Sequence, residues 1–121
     1  MNIGQIENNI QQLLKSFRKE TFIYDLLLAY DTPKSTITRL QKGGLNLSKI
    51  EGEISWKKKL FFKSAFDENL QSLFDLVKNN ERANKHNPRF IIVTDYNALM
   101  AFDTKTQDVL DIPLVELAKH F

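Results

Sequence analysis

The sequence predicts a mixed α/β fold: a mixed β-sheet with an N-terminal helical layer and flanking helices. Three patterns predict it. Phe90-Ile91-Ile92-Val93 is an unbroken β-branched and aromatic run with no polar face, as a strand covered on both sides reads. Glu53-Ile54-Ser55-Trp56 and Leu60-Phe61-Phe62-Lys63 flank Lys57-Lys58-Lys59. Three adjacent ammonium groups need water, so the two runs pair as a hairpin with the triplet at its exposed tip. Apolar residues recur at three- and four-residue intervals in two stretches, Ile3, Ile6, Ile10, Leu13, Leu14, Phe17 and Phe66, Leu70, Leu73, Phe74, Val77, the spacing of one helical face. Strands and helices do not alternate regularly, which argues against a doubly wound sheet.

Taken in order, the first helix runs from Ile3 to near Arg18-Lys19. Phe22, Ile23, Leu26, Leu27 and Tyr30 either continue it through a bend or form a second helix. Thr32-Pro33 reads as an N-cap with proline at the first helical position, opening a short helix through Ile37 and Leu40 that Gly43-Gly44 ends. Leu45 to Gly52 reads as an irregular link before the hairpin. The crossover helix that follows is expected to carry Asp67 and Glu68 in its first turn, where the helix dipole favours acids. Asn79 to Asn87 is polar and turn-rich. After the Phe90 strand, Asp95-Tyr96-Asn97 supplies turn chemistry, Leu99 to Phe102 a second strand, Asp103 to Thr106 another turn, and Pro113 to Lys119 a last short helix.

A chain of 121 residues has the length of one domain, 1–121, with a core that buries roughly two thirds of the unfolded surface. It has no cysteine and two histidines, His86 and His120, which excludes disulfide scaffolds and cysteine metal sites and argues against a histidine-based zinc site. No apolar run approaches a membrane span and Met1 to Lys15 lacks the pattern of a signal peptide, so a cytoplasmic chain with no membrane partner is expected. The net charge of +2 hides an asymmetry: between residues 34 and 63 eight Lys and Arg face two Asp and Glu. That block can steer a phosphate backbone, and Lys57, Lys58, Lys59, Arg39 and Lys42 are its candidate contacts with double-stranded DNA.

Glycine-rich phosphate loops, nucleophile elbows and paired-histidine motifs are absent. What remains is a carboxylate on one hairpin strand, Glu53, and a lysine on the other, Lys63, with Glu20 available from the helical layer. In metal-dependent nucleases a carboxylate and a Glu-x-Lys meet in this way, the carboxylates holding Mg²⁺ and the lysine orienting water. The run from Gly52 to Ser64, followed by a helix, by Pro88-Arg89-Phe90-Ile91-Ile92-Val93-Thr94-Asp95-Tyr96, by Phe102-Asp103 and by Asp111-Ile112-Pro113-Leu114, resembles the N-terminal region of single-chain type IIG and type IIL restriction-modification enzymes. In that class a nuclease of the PD-(D/E)xK kind precedes a DNA methyltransferase.

The resemblance covers residues 20 to 121 and implies a restriction-endonuclease-like sandwich that cleaves DNA phosphodiesters with Mg²⁺. It also implies that the chain continues into a methyltransferase, so that S-adenosylmethionine would bind only in a missing C-terminal region. The family's metal-binding Asp falls on Glu53 and its Glu-x-Lys on Phe61-Phe62-Lys63. Phe61 has no oxygen to offer a cation, so the expectation is nuclease architecture with a degenerate site, unless Glu20, or Glu51 after a register shift, supplies a ligand. The alternative is a non-catalytic DNA-binding or interaction module that positions a methyltransferase through the helix-turn-helix-like segment 20–44, with Arg39 and Lys42 on its second helix.

Overall fold

In a computed structural model, the structure describes residues 3–15, 18, 21–30, 32–48, 53–65 and 69–119. These form a five-stranded mixed sheet with helices on both faces. The strands are β1 (Glu53–Trp56), β2 (Leu60–Ser64), β3 (Phe90–Thr94), β4 (Ala98–Asp103) and β5 (Val109–Pro113), and they lie side by side in chain order. β1 and β2 pair antiparallel with Trp56 opposite Leu60 and Glu53 opposite Lys63. Three lysines close that turn, and Lys58 takes the left-handed φ of 65° that the tight reversal demands. β3 runs parallel to β2, and β4 and β5 complete an antiparallel meander.

A parallel step needs a crossover, and α4 (Leu70–Lys78) provides it. Leu73, Phe74 and Val77 make its buried stripe, and Asn69 caps it by accepting a hydrogen bond from the Ser72 N–H at 3.0 Å. The stripe packs on Phe61, Ile91, Val93, Met100 and Phe102. The pairing register places these sheet residues on one face, because paired residues and alternate residues along a strand share a side. Glu53 and Lys63 belong to this same α4 face, at the β1–β2 edge.

The opposite face carries Ile54, Leu60, Phe62, Leu99 and Ile112 and is covered by α1 (Ile3–Lys15), α2 (Phe22–Ala29) and α3 (Lys34–Gln41), with a 3₁₀ segment Leu114–Lys119 beside them. Ile10, Phe22, Ile37 and Leu40 are the helices' deepest contributions. α1 and α2 are separate helices: the Thr21 N–H donates to the Arg18 carbonyl at 3.3 Å in the turn before α2. Gly43, at φ 88°, ends α3 as expected; its N–H reaches the Leu40 carbonyl and that of Gly44 the Arg39 carbonyl, the paired bonds of a Schellman cap.

Four local expectations are corrected. The cap of α3 is Pro33, whose ψ of 142° keeps it outside the helix, so Thr32 lies one residue too early. α4 starts at Leu70 with no acid in its first turn, because Asn69 satisfies the exposed amides there; Asp67 and Glu68 lie outside the described residues. Within the polar stretch after α4, Asn80 accepts from the Ala83 N–H and nucleates a short helix, α5 (Glu81–Asn84). The fifth strand has no counterpart in the sequence pattern, since Val109-Leu110-Asp111-Ile112-Pro113 has an exposed valine, an exposed acid and a proline, the composition of an edge strand. Among the described residues no helix is long and apolar enough to cross a membrane.

Candidate functional site

The hairpin brings Glu53 and Lys63 together, as the sequence predicts. Their backbones are direct cross-strand partners, and Lys63 Nζ stands 3.9 Å from Glu53 Oε2. The two side chains differ in environment: that of Lys63 is 31% exposed, that of Glu53 wholly buried. A buried carboxylate needs donors, and Ser48 supplies one, its hydroxyl donating to Glu53 Oε1 at 2.8 Å. At 3.9 Å the lysine contributes charge rather than a hydrogen bond.

Ser48 reaches Glu53 because the stretch before β1 is not the irregular link it resembles in sequence. Asn46 bridges to Trp56 along the outer edge of β1, and the Leu47 N–H donates to the Ser55 carbonyl at 2.8 Å. The Asn46 carboxamide accepts from the Ser48 and Ser55 N–H groups and donates to the Glu53 carbonyl. One amide therefore fixes both the approach of Ser48 and the end of the strand that carries the acid. Sequence reasoning missed Asn46 and Ser48; the only available signal was an Asn-x-Ser just ahead of the hairpin, and that pattern occurs in any turn.

Phe61 lies two residues before Lys63 on the same face, 1% exposed, within the apolar cluster under α4. Its ring fills the place where a Glu-x-Lys would present its acid, and Ser55 stands opposite it on β1. Glu20 lies outside the described residues, as does Glu51. Lys57, Lys58 and Lys59 are all exposed, and the Lys58 N–H donates to the His86 carbonyl at 2.9 Å, docking the hairpin tip on the loop before β3. Arg39 and Lys42 are exposed at the C-terminal end of α3, while Ile37 and Leu40 of that helix are buried.

The other end of the central strands has its own clamp. Arg89 Nε and Nη2 each donate at 2.9 Å to a separate oxygen of Asp103, across the β3–β4 pair. Arg89 holds the Asp103 carboxyl well below the usual carboxylate range, helped by the N–H groups of Lys105 and Thr106. Asp95, at the β3–β4 turn, is lowered as well, chiefly by the Ala98 N–H.

The family model for the N-terminal domain of MmeI matches residues 1–121, the whole chain. The chain belongs to this family. The match agrees with the resemblance to type IIG restriction-modification enzymes that the hairpin and the Pro88 strand carry. DNA methyltransferase A of Bacillus subtilis (strain 168) is 38% identical over 122 residues, covering 100% of this chain and 14% of that protein. The chain thus spans about a seventh of the relative's length. No solved structure matches it.

For this family member the described residues do not fit a magnesium centre. A hard divalent cation takes its charge from several oxygen ligands, and among the described residues the site offers one carboxylate, already engaged by Ser48 and facing an ammonium group. No group of three or more His, Cys, Asp or Glu gathers anywhere among the described residues.

Proposed function

We propose that this domain engages double-stranded DNA for a restriction-modification polypeptide that continues into a methyltransferase, and that its nuclease-type site is degenerate. What carries the reading is Phe61: the residue beside Lys63 that would complete a metal site is a core ring, while the rest of the hairpin keeps its geometry. Glu53 and Lys63 then serve as a buried-to-exposed ion pair that fixes the β1–β2 register. Cleavage would require an activated water and leaving-group stabilisation, which one occupied carboxylate does not supply. S-adenosylmethionine would belong to the methyltransferase portion. Support for the continuation is the roughly sevenfold greater length of the Bacillus relative, named as a DNA methyltransferase.

Lys57, Lys58 and Lys59 form the DNA footprint in this reading, because they are exposed, adjacent and free of acidic neighbours on their own turn. The competing footprint is the segment 20–44 entering a major groove. Recognition helices read bases from their N-terminal residues, whereas Arg39 and Lys42 sit at the far end of α3, so the triplet is favoured.

Two measurements test this. In a plasmid-nicking assay with Mg²⁺ or Mn²⁺ the protein is expected to leave the plasmid intact; metal-dependent nicking abolished by both Glu53→Ala and Lys63→Ala would overturn the degenerate-site reading. In a salt titration of duplex binding, replacing the lysine triplet by alanine should weaken binding and flatten the slope by about 0.9 for each phosphate that is no longer neutralised. An effect of Arg39→Ala and Lys42→Ala in place of the triplet would move the footprint to α3.

A further inference from the structure

Among the described residues, the helical layer leaves part of its sheet face open. The opening is a groove of about 1230 Å³ running from the β1–β2 turn to the β4–β5 turn. Ile92, Ala101 and Leu110 of the sheet line it together with Leu27 of α2, the α2 C-cap Tyr30 and Phe90. Phe90 is 42% exposed and Val109 51%, so large apolar surface faces solvent at the end of an otherwise closed core.

We propose that this groove docks an amphipathic α-helix of a protein partner, one that carries acidic residues along one flank only. The lining is largely apolar, which suits side chains presented at helical spacing. Among the described residues, the charge on its banks is uneven. Lys58 and Lys59 stand on one bank, held in place by the bond from the Lys58 N–H to the His86 carbonyl. Asp108 stands on the other, and the Arg89–Asp103 pair between them cancels itself. Acids on the helix flank facing the lysines are complementary; acids on the opposite flank would meet Asp108. A nucleic acid strand fits this groove less well, because its phosphates would pass the acidic bank and its bases would meet aliphatic walls. The inference does not depend on the nuclease or methyltransferase reading, but Lys58 and Lys59 also belong to the proposed DNA footprint, so duplex and the acidic helix would compete for them.

Trp56, the one tryptophan of the sequence, lines the groove and reports on it. The probes are a synthetic Leu/Ala amphipathic peptide with Glu along one flank and its counterpart with Lys along that flank. Titrated into the 121-residue protein, the Glu peptide should give a saturable change in Trp56 emission, with the Lys peptide at least about tenfold weaker. Lys58→Glu with Lys59→Glu should reverse the preference. Val109→Glu, at an exposed position that tolerates charge, should weaken both peptides while leaving the melting temperature unchanged. No response to either peptide, equal affinity for both, or the same emission change with oligothymidylate would overturn the proposal, the last in favour of a nucleic-acid groove.

Discussion

The two faces of the sheet are built from similar residues and are finished differently. On one, α4 lies across the central strands and seals Phe61, Ile91, Val93, Met100 and Phe102, all 6% exposed or less. On the other, the described parts of three helices bury Ile54, Leu60, Phe62, Leu99 and Ile112 yet leave Ile92, Ala101 and Leu110 only partly buried and Phe90 exposed. The difference follows from how each cover is attached. A crossover helix must pack directly over the parallel pair it connects, so its position is fixed by the strands on either side. The N-terminal helices carry no such constraint and settle where their own apolar stripes fit. The lesson for function is that the buried acid belongs to the closed face and the free apolar surface to the open one.

The sharpest way to break this comparison is to ask the closed face to accept a carboxylate. Phe61→Glu would restore the missing Glu-x-Lys, but inside an apolar cluster; it should abolish cooperative folding or cost upwards of about 4 kcal/mol, with no gain of nicking. Stable folding with new metal-dependent cleavage would show that the site has room for a cation. Next in size, truncation on the closed face should outweigh truncation on the open one. Phe61→Ala is expected to cost about 3–5 kcal/mol in urea denaturation, against less than about 1 kcal/mol for Phe90→Ala, whose ring is already part-exposed. Comparable losses would mean that the groove is filled in solution.

Smaller effects sharpen the same contrast. Ser48→Ala leaves Glu53 Oε1 buried without its hydroxyl donor and should cost about 1–3 kcal/mol, whereas Ser35→Ala on the exposed side of α3 should be neutral within about 0.5 kcal/mol. The Arg89–Asp103 clamp predicts a pH dependence. Because the folded-state Asp103 carboxyl is depressed, its contribution is present above the ordinary carboxylate pKa of about 4 and is lost as pH falls below it. Asp103→Asn should therefore lower the melting temperature slightly at neutral pH and bring it level with the unaltered protein in strong acid. An unchanged difference between the two proteins across that range would remove the clamp from the account.

Much of this was legible in the sequence because it depends on local pattern. The lysine triplet between two apolar runs specified the hairpin and its exposed tip, and so short a turn then left one register, with Glu53 opposite Lys63. The unbroken Phe90 run specified a central strand, and helical spacing specified α1, α4 and the helical character of α2, though not its separation from α1. Gly43 marked the end of α3 because few other residues take its φ. These features rest on neighbours within a turn or a strand, and so each can be read where it stands.

Tertiary structure alone decided the rest. β5 pairs because β4 offers it an edge, and its own mixed composition carries no comparable signal. Asn46 and Ser48 became the setting of Glu53 only when the strand edge brought them there. Phe61 looks like any strand residue in sequence; that its ring is locked beneath α4, two positions from Lys63, depends on where the crossover helix lands. The groove was equally invisible, since it arises between α2, α3 and the sheet strands, elements distant in the chain. Periodicity fixes which side of an element is apolar, but how far another element extends across that side is set by packing between residues distant in the chain.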